Sequence, residues 1–336
     1  MHANVFFDQI AKRELKSVYF LHGDEEYAKE RALEQLIDTT EASVRAFNVN
    51  QLDKAEAEDV IAVCEAWPMM DDKRLVIVTD ERFFGASDGN IQHIVDYLSH
   101  ICPSTCLVFV HRGAADTRKT LYKAVNKMGG VVSFEVYSEM ETAKWAASMA
   151  KKQGVIFPKR QVMQLIEKSD RKLSSLAHEI QKLCDYAGVG HEITSDMIDQ
   201  MIQPSMEYSV FEMLEYFLKG KMGEGLHLLR QNMQDGGTGA VISMTLFFAA
   251  RLRNMLIAKM ELERGQTAKE AAQAVGGNPY AAKKSVEAAQ KFSIEALEDA
   301  LVKLADLDYG MKSGQVRGDQ MLEVILIETF EQGKIK

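Results

Sequence analysis

The first segment with the makings of a binding site is Val18-Tyr19-Phe20-Leu21-His22-Gly23-Asp24-Glu25-Glu26-Tyr27: an apolar run, a glycine and the start of a helical pattern. An α/β nucleotide-binding protein holds its phosphate loop at such a strand–loop–helix. That loop needs backbone amides to cradle phosphates, a lysine for charge and a hydroxyl for magnesium, spaced as G-x-x-x-x-G-K-[ST]. Here there is one glycine, Gly23, no Lys-Ser/Thr pair, and three consecutive acids, Asp24, Glu25 and Glu26. Three carboxylates at a helix N-terminus occupy the anion site and repel phosphate. Read structurally, they cap the helix and suit its dipole, with Asp24 as the expected N-cap. Both readings disfavour nucleotide hydrolysis. The run LVFVHRG (107–113) has no Asp-Glu at its end, where a magnesium-holding carboxylate would sit.

Other chemistry is thinly represented. His100, Cys102, Cys106 and His111 have metal-binding side chains, but Cys106 opens an apolar run and His111 closes it. C-x3-C also lacks the paired knuckles of a zinc site, so ordinary core cysteines are expected and no metal. There is no G-x-S-x-G, H-E-x-x-H, C-x-x-C or G-x-G-x-x-G. No catalytic residue and no cofactor is expected. Four cysteines are too few for a disulfide framework and suit a reducing cytoplasm.

The segment AWPMMDDKR (66–74) is unusual in another way. Trp67, Pro68, Met69 and Met70 stand in a row just before a polar turn. Such a cluster is either tucked under the preceding helix or serves as a partner-binding plug, because exposed methionine and aromatic side chains anchor interfaces.

Elements that would position these residues follow from periodicity. Residues 1–140 alternate short β-rich runs (18–23, 45–53, 74–80, 106–111, 131–137) with helical patterns. RLVIV and CLVFV are continuously apolar, as strands buried on both faces are. Strand–helix alternation predicts a parallel α/β sheet with helices on both faces. After about residue 140 the strand signal ends. Helical patterns over 141–208 predict a small helical domain, and Gln203-Pro204-Ser205 reads as a linker. Residues 209–336 read as a second helical domain punctuated by GGTG (236–239) and GGN (276–278). The pattern around 240–262 is apolar on most sides at its start, which predicts a central bundle helix.

The chain has 336 residues, more than one core usually supports. Its net charge of −9 argues against a dedicated high-affinity nucleic-acid binder, which needs clustered Lys and Arg. The stretch MHANVFFDQIAKREL has no apolar h-region, so no signal peptide is expected. The unbroken apolar runs are far short of a membrane span, so no membrane is expected.

Four segments in this order resemble the delta subunit family of the bacterial DNA polymerase III clamp loader. They are VYFLHGDEEYAKERALEQL (18–36), WPMMDDKRLVIVTD (67–80), SSLAHEIQKLCDYAG (174–188) and NPYAAKKSVEAAQKFSIEALEDALVKLADLDYGMKSG (278–314). The resemblance implies an AAA+-like domain (1–140) whose phosphate loop, Gly23 to Glu26, is degenerate and inactive. A helical lid (141–208) and a helical collar (209–336) would follow, the collar assembling with other loader subunits. It implies a non-catalytic subunit of the polymerase III holoenzyme that binds the sliding clamp and helps hold it open on primed DNA. Trp67, Pro68, Met69 and Met70 would be the clamp-binding element, with Met69 and Met70 as anchors at a helix end. The implied partners are the clamp, the motor subunits that bind ATP, the delta-prime subunit and primer-template DNA. Tyr309 lies two residues past Leu307, off the Leu301–Leu304–Leu307 stripe and near Lys312. It is the candidate to face DNA, against packing on a neighbouring helix. The competing readings are an ATP- or phosphate-dependent α/β enzyme with a helical extension, and a non-replicative helical adaptor.

Overall fold

A computed structural model describes residues 1–79, 82–85, 89–277 and 279–332. The chain divides into two compact units, Met1–Trp145 and Ala146–Lys336.

In the first unit the elements run α1 (Ala3–Lys12), β1 (Val18–His22), α2 (Glu26–Ile37), α3 (Arg45–Asn48), β2 (Val49–Leu52), α4 (Ala57–Glu65) and β3 (Arg74–Val78). They continue with α5 (Arg82–Gly85), α6 (Gly89–Leu98), β4 (Thr105–Val110), α7 (Thr120–Lys127), β5 (Val131–Ser133) and the start of α8 (Glu139–Lys152). The strands form one parallel sheet in the order β2-β3-β4-β1-β5. The continuously apolar runs are its centre. Val76, Val78, Leu107, Phe109, Val18 and Phe20 join α4, α6 and α7 in a single core on one face. On the other face Tyr19 packs on Phe6 of α1, and α1 packs on α2.

Two expected strands are shorter than their sequence runs. Residues 45–48 wind a helical turn, and only 49–52 extend beside β3. β5 ends at Ser133, and Phe134 turns its backbone to the loop after β1, donating its N–H to His22 O at 2.8 Å and accepting from Glu25 N–H at 3.0 Å. The strand expected over 74–80 is described to Val78, and Asp80 lies outside the described residues.

The second unit continues α8 and adds α9 (Lys159–Lys168), α10 (Leu173–Ala187), α11 (Ser195–Met201), α12 (Met206–Leu218), α13 (Met222–Glu263) and α14 (Ala268–Val275). It ends with α15 (Pro279–Ala289), α16 (Ile294–Lys312), α17 (Gly318–Ile327) and a π-helical turn, Glu328–Gln332. Helix α11, too short to carry an apolar stripe, is started by Thr194, whose hydroxyl accepts the Met197 N–H. The stretch read as a linker is held in place. Ser205 donates its N–H to Lys168 O at 2.7 Å and its hydroxyl to Ser169 O at 3.2 Å, while capping α12.

The helical patterns on either side of GGTG are two helical segments of α13 that meet at a kink at Gly237, whose backbone is not helical (φ 59°, ψ −153°). Only glycine visits that region readily. Helices α12, α14, α15, α16 and α17 all pack on α13, which is the expected central helix. α13 is also long and apolar enough to cross a membrane by length and composition, a window that a reading of unbroken runs misses. A core running from Val210 to Phe330 joins this bundle.

Candidate functional site

The carboxyl ends of β1 and β4 meet where ligands bind in open α/β sheets. There Gly23 and Gly113 form an antiparallel bridge, with Gly23 N–H donating to Gly113 O at 2.7 Å. Gly23 has φ 121°, and a Cβ at that position would lie 2.1 Å from Phe134 O. No other residue fits. Two of the next three amides are also used internally: Glu25 N–H donates to Phe134 O and Glu26 N–H to Asp24 O. A phosphate loop would aim such amides at its ligand.

The decisive side chain at this loop is Lys29. It lies on α2 and is 1% exposed. Its ammonium donates to His111 O (2.7 Å), Glu26 Oε1 (2.9 Å) and Gly23 O (3.0 Å). Glu26 Oε1 also accepts from Gly113 N–H at 3.4 Å. A lysine–carboxylate pair therefore fills this end of the loop, rather than three carboxylates. Asp24 is exposed, and Glu25, not Asp24, is the N-cap of α2. Burial raises the Glu25 carboxyl, with the amides of Ala28 and Tyr27 opposing. Burial, with the charges of His111 and Lys29 beside it, lowers the His22 imidazole.

Lys29 carried a sequence signal. Gly23 and Lys29 stand at the spacing of the first glycine and the lysine in G-x-x-x-x-G-K, with Ala28 in place of the second glycine and Glu30 in place of the hydroxyl residue. The acid pair absent after β4 follows β3 in the sequence, as Asp80-Glu81, outside the described residues.

The second site is the loop between α4 and β3. Helix α4 ends at Glu65, and Ala66 is already extended (ψ 132°). Pro68 disfavours helical backbone at Trp67, so Trp67–Met70 form a loop and not the end of a helix. Trp67 is 81%, Met69 49% and Met70 88% exposed, with Pro68 half-buried. Of the two readings of this cluster, the one tucked under the helix does not hold. The loop backbone is nevertheless tied down. Arg74 donates from Nε to Ala66 O (2.9 Å) and from Nη2 to Trp67 O (3.1 Å), while its Nη1 donates to Asn50 Oδ1 (2.8 Å).

Sequence profiles match both units. The profile of the DNA polymerase III delta subunit matches residues 19–135, and that of the C-terminal domain of the same subunit matches residues 207–329. The chain belongs to the DNA polymerase III delta-subunit family. DNA polymerase III subunit delta of Bacillus subtilis (strain 168) is 27% identical, over 97% of this chain and 96% of that one. The solved structure of the Bacillus subtilis DNA clamp loader delta protein superposes with a TM-score of 0.70 at 26% identity, covering 98% of this chain and 99% of that one. The fold is the AAA+-like α/β arrangement with a helical C-terminal part, as the resemblance implied. The names of these relatives place the family in DNA polymerase III and its clamp loader.

The other sequence candidates of this delta-family chain are not part of these loops. Tyr309, near the end of α16, is 70% exposed, while Leu304 and Leu307 are buried, so it does not pack on a neighbouring helix. Lys312 beside it is engaged by Asp308 at 2.7 Å. Cys106 is buried on β4, and Cys102 shares a hydrogen bond with Ser104 at 3.1 Å. Among the described residues no three His, Cys, Asp or Glu side chains gather as a metal site.

Proposed function

We propose that this chain binds the sliding clamp through the Trp67–Met70 loop and helps open it for loading onto primed DNA, without binding or hydrolysing ATP. The observation that carries the reading is the exposed row of Trp67, Met69 and Met70 on a loop of a delta-family chain. Large apolar side chains standing free in water are stabilised when a partner's pocket takes them. Met69 and Met70 are the anchors, and Trp67 and Pro68 shape the loop. The inactive phosphate loop is supported by Lys29, whose ammonium is spent on Gly23, His111 and Glu26. The same feature disfavours an ATP- or phosphate-dependent enzyme.

The chain works in the cytoplasm with the ATP-binding motor subunits, the delta-prime subunit and primer-template DNA. Its parts are an α/β domain (1–140), a lid (141–208) and a collar (209–336) that joins the other loader subunits. The continuous core from Val210 to Phe330 supports the collar as a folding entity. Tyr309 faces DNA, its exposed ring free to stack on an unpaired base. The test is capture of the full chain on immobilised sliding clamp. Binding by wild type and its loss in a folded Met69→Ala, Met70→Ala variant is the expected result. Equal binding by both removes the clamp site from this loop.

A further inference from the structure

We infer that Asn48 is the positioning residue of the Trp67–Met70 loop, holding the backbone of Met69 so that Met70 is presented to the clamp in one fixed geometry. The inference rests on the clamp-binding reading above.

Asn48 is the last residue of α3 and is 0% exposed. A buried amide side chain is costly unless both of its ends are paired. Here both ends are spent on one residue far along the chain. Asn48 Nδ2 donates to Met69 O at 2.8 Å, and Met69 N–H donates to Asn48 Oδ1 at 2.7 Å. The side chain thus imitates the peptide group of a neighbouring strand, exchanging two hydrogen bonds with a loop residue that has no strand beside it.

What this pairing secures is evident at the next residue. Met70 has φ 53°, the left-handed region that a residue with a Cβ rarely adopts. Such a backbone persists only where its surroundings over-determine it. Asn48 grips the residue before Met70, and Arg74 grips Ala66 and Trp67 further back. Between these ties the side chains of Trp67, Met69 and Met70 remain exposed. The backbone is fixed while the apolar side chains are offered, so less ordering entropy is lost on binding than for a free loop. A loop released from Asn48 spends only part of its time in the competent shape, and apparent affinity falls by that fraction.

The experiment is a double-mutant cycle on clamp affinity with the full-length chain and purified sliding clamp, using Asn48→Ala, Met70→Ala and the double variant. Thermal melts accompany each protein, as does amide exchange at Met69. Asn48→Ala is expected to weaken clamp binding about tenfold and to expose the Met69 amide to exchange. In the Met70→Ala background it is expected to weaken binding less, since the side chain offered from the left-handed backbone is gone and only that of Met69 is left for Asn48 to hold. A merely structural role predicts the same fold-loss in both backgrounds, and that result overturns the inference. So does unchanged affinity of folded Asn48→Ala, or a Met69 amide that exchanges freely in wild type. If Asn48→Ala does not fold, Asn48→Asp enters the same cycle under the same affinity criteria, with the Met69 amide still protected. It keeps the acceptor for Met69 N–H and removes the donor to Met69 O. Wild-type clamp binding by Met69→Ala, Met70→Ala with a protected backbone amide at position 69 overturns the inference through its premise, and is distinguished by the intact amide protection.

Discussion

Replacing Lys29 by methionine tests the internally closed phosphate loop most directly. The substitution keeps the unbranched stem of the side chain as far as Cε and removes the ammonium. Three charge-assisted hydrogen bonds are lost, to Gly23 O, His111 O and Glu26. At about 1.5–3 kcal/mol each, the gross loss is on the order of 4–9 kcal/mol. Methionine recovers the desolvation of a buried ion, several kcal/mol. A net destabilisation of about 2–4 kcal/mol is therefore expected for the first unit. Glu26→Gln removes the counter-charge only, and the Glu26 side chain is 49% exposed, so solvent screening holds its effect to about 1 kcal/mol. The assay is urea unfolding of the full chain followed by tryptophan emission. Both tryptophans, Trp67 and Trp145, lie in the first unit, and Trp145 stacks edge-on against Tyr27 of α2, close to Lys29 in sequence. The signal thus reports the docking of that helix. In the Lys29→Met background Glu26→Gln is expected to cost nothing beyond about 0.3–0.5 kcal/mol, the scatter of independent sites. The reasoning fails if Lys29→Met lies within about 0.5 kcal/mol of wild type, or if Glu26→Gln costs the same in both backgrounds.

The wild-type chain is expected to show no heat of binding with ATP and magnesium in calorimetry; micromolar binding would contradict the closed loop. Met69→Ala, Met70→Ala is expected to lose roughly 2–4 kcal/mol of clamp affinity, the range of two buried hot-spot anchors, read by surface capture at several clamp concentrations. Tyr309→Ala is expected to weaken loading on primed DNA, by roughly 1–3 kcal/mol of base stacking, and to leave clamp binding intact; equal effects on both, or none, exclude the stacking role. Burial pushes the Cys64 and Cys106 thiols up to about 12 and raises Cys184, whereas hydrogen bonding from Ser104 lowers Cys102. Iodoacetamide at pH 8 is therefore expected to label Cys102 first, as read by peptide mass spectrometry, and comparable early labelling of Cys64 or Cys106 contradicts this order.

The elements of this protein were largely legible in its sequence, because the period of apolar residues is a local property. LVIV (75–78) and CLVFV (106–110) are apolar throughout since both faces of those strands are covered, and GGTG marks the kink in α13. Gly23 and the absence of a Lys-Ser/Thr pair already disfavoured nucleotide hydrolysis. What the local pattern could not contain is the partner of each polar group. Lys29 stands at the spacing of a phosphate-loop lysine, but its engagement with the carbonyl of His111, 82 residues away, is visible only in the fold. Asn48 sits in what reads as a strand until its side chain is seen to pair with Met69, 21 residues on. The row Trp67–Met70 is equally consistent with burial and with exposure in sequence. Only the end of α4 at Glu65 and the ties from Asn48 and Arg74 leave its side chains in solvent. Apolar periodicity is enough to specify which segments wind or extend, since each residue need only know its near neighbours. A hydrogen bond between distant segments depends on the order in which strands pair, and that order is settled by the packing of the whole unit.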